Sequence, residues 1–180
     1  AGGLSEESSI VTRFKGRLEI EDLKTVMGTD FDGNQIEIVV SRSTELKLVD
    51  VNTGMVLNTH NIPYGSSIFV KDGDVVEAAT TICKWDPFNG VIISETAGKV
   101  AFEDLEQGQT FQVEIDEQTG FQEKVISESR NKKLVPTLLI FGKNDELIKS
   151  YNLPVGAHLM VENGEKIQAG KILVKIPRRS

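Results

Sequence analysis

Apolar and polar positions alternate with a period of two in several short runs of this chain. Gln35-Ile36-Glu37-Ile38-Val39-Val40 and Gln112-Val113-Glu114-Ile115 both do so, with β-branched residues at the apolar places. That pattern belongs to half-buried strands. Leu46-Lys47-Leu48-Val49-Asp50 leads into Asn52-Thr53-Gly54 and then Met55-Val56-Leu57. Asn and Gly supply the backbone conformations of a tight turn, so this stretch predicts a hairpin. Gly142-Lys143-Asn144-Asp145 predicts a second one. Further turn signals stand at Asp30-Phe31-Asp32-Gly33-Asn34, Asp72-Gly73, Gln118-Thr119-Gly120 and Asn163-Gly164. The one stretch that reads as a short helix is 123–133. The expected class is all-β with little helix.

The runs repeat. Asn61-Ile62-Pro63-Tyr64-Gly65, Val70, Asp72-Gly73, Ala78 and Lys84 recur 91 positions later as Asn152-Leu153-Pro154-Val155-Gly156, Val161, Asn163-Gly164, Ala169 and Lys175. Ile68, Val76 and Ile82 likewise meet Leu159, Ile167 and Leu173. Carried backwards, the same register lays Leu48-Val49-Asp50 on Leu139-Ile140-Phe141. A second anchor has an offset of 82: Gly16-Arg17-Leu18-Glu19-Ile20-Glu21-Asp22-Leu23 resembles Gly98-Lys99-Val100-Ala101-Phe102-Glu103-Asp104-Leu105. The second copy is therefore nine residues longer between the anchors. Two matches in one order predict tandem units at 10–90 and 91–180, after a junction at 1–9.

The repeated Val-x-x-Gly-(Asp/Glu)-x-(Val/Ile)-x-Ala pattern ends a strand, turns on glycine and re-enters the core. Its Ala is expected where two chain segments cross closely. Biotinyl and lipoyl carrier domains use a similar pattern in their barrel–sandwich hybrid fold. They also need a lysine at a hairpin tip, flanked by Met or by Asp and Ala, and neither unit shows that motif. A free-standing carrier or small-ligand-binding barrel remains the alternative reading.

Composition narrows the function. No run approaches the roughly 18 apolar residues of a membrane span. The start, Ala1-Gly2-Gly3-Leu4-Ser5-Glu6-Glu7, has no apolar signal-peptide core and no Met, so a piece of a longer cytoplasmic chain is expected. The single cysteine, Cys83, precludes an internal disulfide and is expected to be a buried small hydrophobe. Net charge is −7, with 8 Lys/Arg against 14 Asp/Glu in residues 1–90 and 12 against 13 in the remainder. Autonomous nucleic-acid binding needs a basic footprint, and this balance argues against it.

Candidate chemistry is sparse. His60 and His158 do not correspond in the repeat, which argues against a shared metal site. Asp30-Phe31-Asp32-Gly33 resembles the magnesium-binding aspartates of multisubunit RNA polymerases, but Asn34 stands where a third aspartate would, so a hairpin turn is expected. No nucleotide-binding or hydrolase motif is present. No catalytic, metal or cofactor-binding residue is assigned, and no cofactor is expected. Glu19-Ile20-Glu21-Asp22 alternates and reads as a solvated face, or else as a contact for a basic partner. Trp85-Asp86-Pro87-Phe88 joins the copies. Trp85, Pro87 and Phe88 are the candidate contact residues, either buried between the units or docking a partner, as Trp and Phe are frequent binding anchors.

Taken together, Ser8-Ser9-Ile10, Thr44-Glu45-Leu46-Lys47-Leu48, Pro63-Tyr64-Gly65, Asp72-Gly73, Trp85-Asp86-Pro87, Ile93-Ser94-Glu95, Gly98-x-Val100-x-Phe102-x-Asp104 and Ile176-Pro177 resemble one family segment. It is the lineage-specific trigger-loop insertion of the proteobacterial-type RNA polymerase β′ subunit, from about Ser8 to Pro177. The resemblance implies two sandwich–barrel hybrid motifs in a non-catalytic module of a nucleotidyltransferase. It also implies an influence on trigger-loop movement, hence on transcription elongation, pausing and transcript cleavage. Implied partners are the remainder of β′, the β subunit and secondary-channel factors, with downstream DNA near only by proximity and no membrane. The loops at 28–34 and 123–133 have no counterpart in this resemblance.

Overall fold

A computed structural model describes residues 7–30 and 32–178. The described residues form eighteen strands and no helix. The chain divides into two compact units, one running to Pro87 and the other from Phe88.

The first unit contains β1 (Ser8–Val11), β2 (Gly16–Glu21), β3 (Thr25–Thr29), β4 (Gln35–Val39), β5 (Thr44–Val49), β6 (Val56–Ile62), β7 (Ser67–Ile68), β8 (Val75–Val76) and β9 (Thr81–Trp85). They form a five-stranded sheet, β1-β9-β7-β4-β3, and a four-stranded sheet, β6-β5-β2-β8. The second unit contains β10 (Asn89–Ile93), β11 (Gly98–Glu103), β12 (Phe111–Ile115), β13 (Gln122–Ile126), β14 (Thr137–Phe141), β15 (Leu147–Asn152), β16 (His158–Leu159), β17 (Lys166–Ile167) and β18 (Ile172–Pro177). Its sheets run β10-β18-β16-β13-β12 and β15-β14-β11-β17, so the strand order repeats without exception. Every ladder is antiparallel. Two sheets around one apolar core per unit agree with a sandwich–barrel hybrid.

Each core takes residues from both of its sheets. Leu18, Leu46 and Leu48 meet Val39, Ile82 and Cys83 in the first unit. Val100, Leu138 and Ile140 meet Ile126, Leu173 and Val174 in the second. Gly16 and Gly98 allow β2 and β11 to lie close to their neighbours. A Cβ on Gly16 would come 2.6 Å from the Val49 carbonyl oxygen, and one on Gly98 would come 2.7 Å from that of Phe141.

Hydrogen bonds join the two anchors of the repeat in the same way in both copies. The Leu18 amide donates to the Asp74 carbonyl and the Gly73 amide to the Leu18 carbonyl; Val100, Glu165 and Gly164 do likewise. The strand registers then locate the extra nine residues. The offset between copies is 82 at Leu18/Val100, 86 at Thr25/Phe111, 87 at Val39/Ile126, 92 at Leu48/Ile140 and 91 from Asn58/Lys149 onward. The second copy gains four residues before β12, one in the β12–β13 turn and five before β14. It loses one in the β14–β15 turn. All the changes lie in connections, where added length costs little.

Three expectations are corrected. Leu48 corresponds to Ile140, not Leu139, because Leu48 and Ile140 both fill the core whereas Leu139 points outward; a slip of one residue exchanges the faces of a strand. No helix forms at 123–133. Gln122–Ile126 is strand β13, drawn into pairing with β12 because β-branched Val125 and Ile126 fit a sheet and Ile126 is buried in the core. Ala78 is not at a close crossing but exposed in a turn. The demanding position is the next one, where Ala79 has φ 68° and its counterpart Gly170 has φ 89°.

Candidate interaction surface

Most side chains that could carry chemistry serve the fold. Asp30 accepts hydrogen bonds from the amides of Asp32 (3.0 Å) and Asn34 (2.9 Å), closing the β3–β4 turn. This is the expected hairpin; Phe31 lies outside the described residues. Cys83 is buried in the first core, and burial pushes its thiol up to about 11, so it is neither nucleophile nor ready ligand at neutral pH. Its counterpart is Val174, a residue of similar bulk. His60 lies on β6 opposite Leu46. His158 lies on β16 of the other unit, with Nδ1 2.7 Å from Glu123 Oε2. Among the described residues no group of three or more His, Cys, Asp or Glu is placed to hold a metal ion. Lys143 does occupy the tip of the β14–β15 hairpin, but Gly142 and Asn144 flank it in place of a carrier motif.

The candidate contact residues separate between the units. Trp85 ends β9 opposite Ser8 and packs half-buried against the first core, as its counterpart Ile176 packs against the second. Pro87 closes the first unit. Phe88 begins the second, with 53% of its surface exposed, and its carbonyl accepts the Arg178 amide at 2.8 Å. Trp85 is thus in the first instance a core residue of its own unit, while Phe88 presents apolar surface.

The outward faces of the two four-stranded sheets differ at one central cross-strand pair. On the first, Glu19 and Glu21 of β2 face Lys47 and Glu45 of β5, and Arg17 lies between Val49 of β5 and Val75 of β8. Arg17 pairs with Glu19 at 3.2 Å and Lys47 with Glu45 at 3.6 Å. Glu19 and Glu21 are exposed on either side of buried Ile20, as expected of a solvated face. On the second, the Glu19–Lys47 cross-strand pair is replaced by Ala101–Leu139, beside Phe141 and Leu147. Leu147 is 55% exposed. An open depression of about 390 Å3, lined by Lys99, Ala101, Phe141, Asp145, Asn163 and Gly164, adjoins this face. Sequence reasoning missed the patch because the one-residue slip laid core Leu48 on Leu139. In the correct register Lys47 falls on Leu139, and the change from charge to hydrocarbon is visible.

No helix among the described residues is long and apolar enough to cross a membrane. No family model matches the chain. Curated relatives do. The chain is 81% identical over 180 residues to the DNA-directed RNA polymerase subunit beta′ of Flavobacterium johnsoniae, covering 100% of the chain and 12% of that protein. It is 49% identical over 178 residues to the subunit of the same name from Bacteroides thetaiotaomicron, again 12% of its length. For Porphyromonas cangingivalis the figures are 42% over 180 residues and 16%. The chain spans about an eighth of the first two relatives and is homologous, along essentially all of its own length, to one segment of the DNA-directed RNA polymerase β′ subunit.

Proposed function

We infer that the chain is a non-catalytic module within the β′ subunit of a DNA-directed RNA polymerase, and that it acts on transcription by biasing the movement of the trigger loop. The observation that carries this reading is the match of essentially the whole chain to about an eighth of proteins named as that subunit. The assignment to the trigger loop rests on the family resemblance described above. The spent Asp30 carboxylate and the buried Cys83 support a role without bond-making chemistry.

Two compact units attached to a mobile element alter its equilibrium if they contact their surroundings differently in its two states, because differential contact shifts populations. Nucleotide addition, pausing and transcript cleavage would then respond. The contacts would be with the remainder of β′, with β and with factors entering the secondary channel, all in the cytoplasm. Deleting 8–177 from the parent subunit tests this in the assembled enzyme. Nucleotide addition should persist while pause lifetimes or cleavage rates change. Loss of bond formation would overturn the non-catalytic assignment, and unchanged pausing and cleavage would overturn the regulatory one.

A further inference from the structure

We propose that Asn163, in the turn between β16 and β17, is a deamidation site: the closed turn keeps it intact, opening of the turn converts it, and the aspartyl product retains the fold. The proposal is independent of the functional reading above.

The chain carries Asn-Gly twice, at 89–90 and 163–164. This dipeptide is especially prone to losing the asparagine amide, because glycine has no side chain to hinder attack by its own backbone nitrogen. In the reaction the Gly164 nitrogen gives its proton to solvent and bonds to Asn163 Cγ. The Cγ–Nδ2 bond breaks, ammonia leaves, and a cyclic imide remains. Water then opens the imide at either carbonyl, giving aspartate or its isomer with an extra methylene in the main chain. Water is consumed and ammonia released, with nothing oxidised or reduced.

Asn163 is exposed to that water, but both reacting groups are engaged. Its Oδ1 accepts the Phe102 amide at 3.0 Å, and the Gly164 amide donates to the Val100 carbonyl at 2.7 Å. The Glu162 amide closes the turn on Glu165 Oε1 at 3.0 Å. Attack needs the Gly164 nitrogen free and the carboxamide turned onto it, so the bonds to Phe102 and Val100 must open together.

The duplication shows what becomes of the product. Asp72 holds the matching place and its carboxylate accepts the Ile20 amide at 2.9 Å, while the Gly73 amide donates to Leu18 as that of Gly164 does to Val100. An aspartate at 163 therefore repeats an arrangement already present in the fold. The isomer has no such counterpart, and its longer main chain would displace Lys166 of β17 from its place opposite Lys99. Exchange of amide for carboxylate also adds a negative charge to the depression that Lys99 and Asp145 line.

The test is peptide mapping by mass spectrometry of the assembled polymerase, incubated at mildly alkaline pH beside the same enzyme unfolded in urea. In urea Asn163 should convert at a rate comparable to that of Asn89. In the native enzyme it should convert about thirtyfold more slowly, as expected for two hydrogen bonds that must open first. Equal rates in the two states, or an Asn163 that stays intact in urea, would overturn the proposal. Hydrogen exchange in assembled polymerase bearing Asn163→Asp or Asn163→Ala tests the product. Asn163→Asp should protect the Phe102 amide as the parent does, whereas Asn163→Ala should speed its exchange about fivefold. Equal losses of protection in the two variants would show that the aspartyl product does not keep the fold. Unchanged exchange in Asn163→Ala would show that this bond does not hold the turn, and either result sinks the idea.

Discussion

The Asp72 carboxylate accepts the backbone amide of Ile20 at 2.9 Å across 52 residues of chain, tying the turn after β7 to the middle of β2. The second unit makes the same bond with an amide side chain, from the Phe102 amide to Asn163 Oδ1 at 3.0 Å. Asp72→Ala should therefore destabilise the first unit by about 1–2 kcal/mol, the usual cost of orphaning a partly buried amide. Asp72→Asn should lose only a fraction of that, because asparagine already serves in the other copy. Urea unfolding of the two variants separates these outcomes; equal losses would show that charge, not geometry, dominates.

Ala79 is held at φ 68°, where a Cβ crowds the following carbonyl. Gly170 occupies the matching turn, and its amide donates to the Ser94 carbonyl as that of Ala79 donates to Thr12. Ala79→Gly should stabilise by up to about 1 kcal/mol, and Gly170→Ala should destabilise by a similar amount. Thermal melts of the pair should move in opposite directions.

Glycine at the start of β2 and β11 should tolerate no side chain. Gly16→Ala would set a methyl 2.6 Å from a backbone oxygen that cannot rotate away. A loss of about 1–3 kcal/mol is expected in denaturant unfolding, typical of overpacking. Gly98→Ala should behave alike.

Cys83 should resist thiol reagents at pH 8 in the folded chain and react freely once urea exposes it, given a thiol raised to about 11 and buried. Cys83→Val should fold with less than about 1.5 kcal/mol lost, since Val174 fills the matching place.

Asp50 should titrate below the ordinary carboxylate range. The amides of Asn52 and Thr53 donate to it at 2.8 and 3.0 Å and favour its charged form. A folded value below the unfolded one means that its contribution is complete above about pH 4 and is lost as pH falls through the depressed value. An NMR titration of the Asp50 carboxyl in native protein should show this; a midpoint at or above the model-peptide value would refute it.

Much of the architecture was legible because strand pairing leaves a period of two and because duplication prints that period twice. Leu18 with Val100 and Ile82 with Leu173 were both found by their spacing. Connections gave weaker signals. The one residue lost in the β14–β15 turn leaves β14 at an offset of 92 beside the 91 that holds after it, so the constant offset of 91 carried backwards misplaces that strand by one residue. Glu, Lys and Ser in 123–133 carry helix-like polarity, and pairing with β12 and β16 makes the first part a strand. Trp85 stands out in the sequence by residue type, and its position on β9 sets it half-buried against the first core. The Ala101–Leu139 face left no mark in composition, because two hydrophobic residues in a strand look the same whichever side they occupy.

In each unit the first strand is hydrogen-bonded to the last: Ser8 lies opposite Trp85, and Asn89 opposite Pro177. Entry and exit of the polypeptide are therefore side by side. A body with that property can be spliced into a host chain at a single point, without prising the flanking residues apart. It can also be copied in place, since a second body asks of the first no more than the host did. One copy could then keep a charged pair, Glu19 with Lys47, at the place where the other set Ala101 against Leu139.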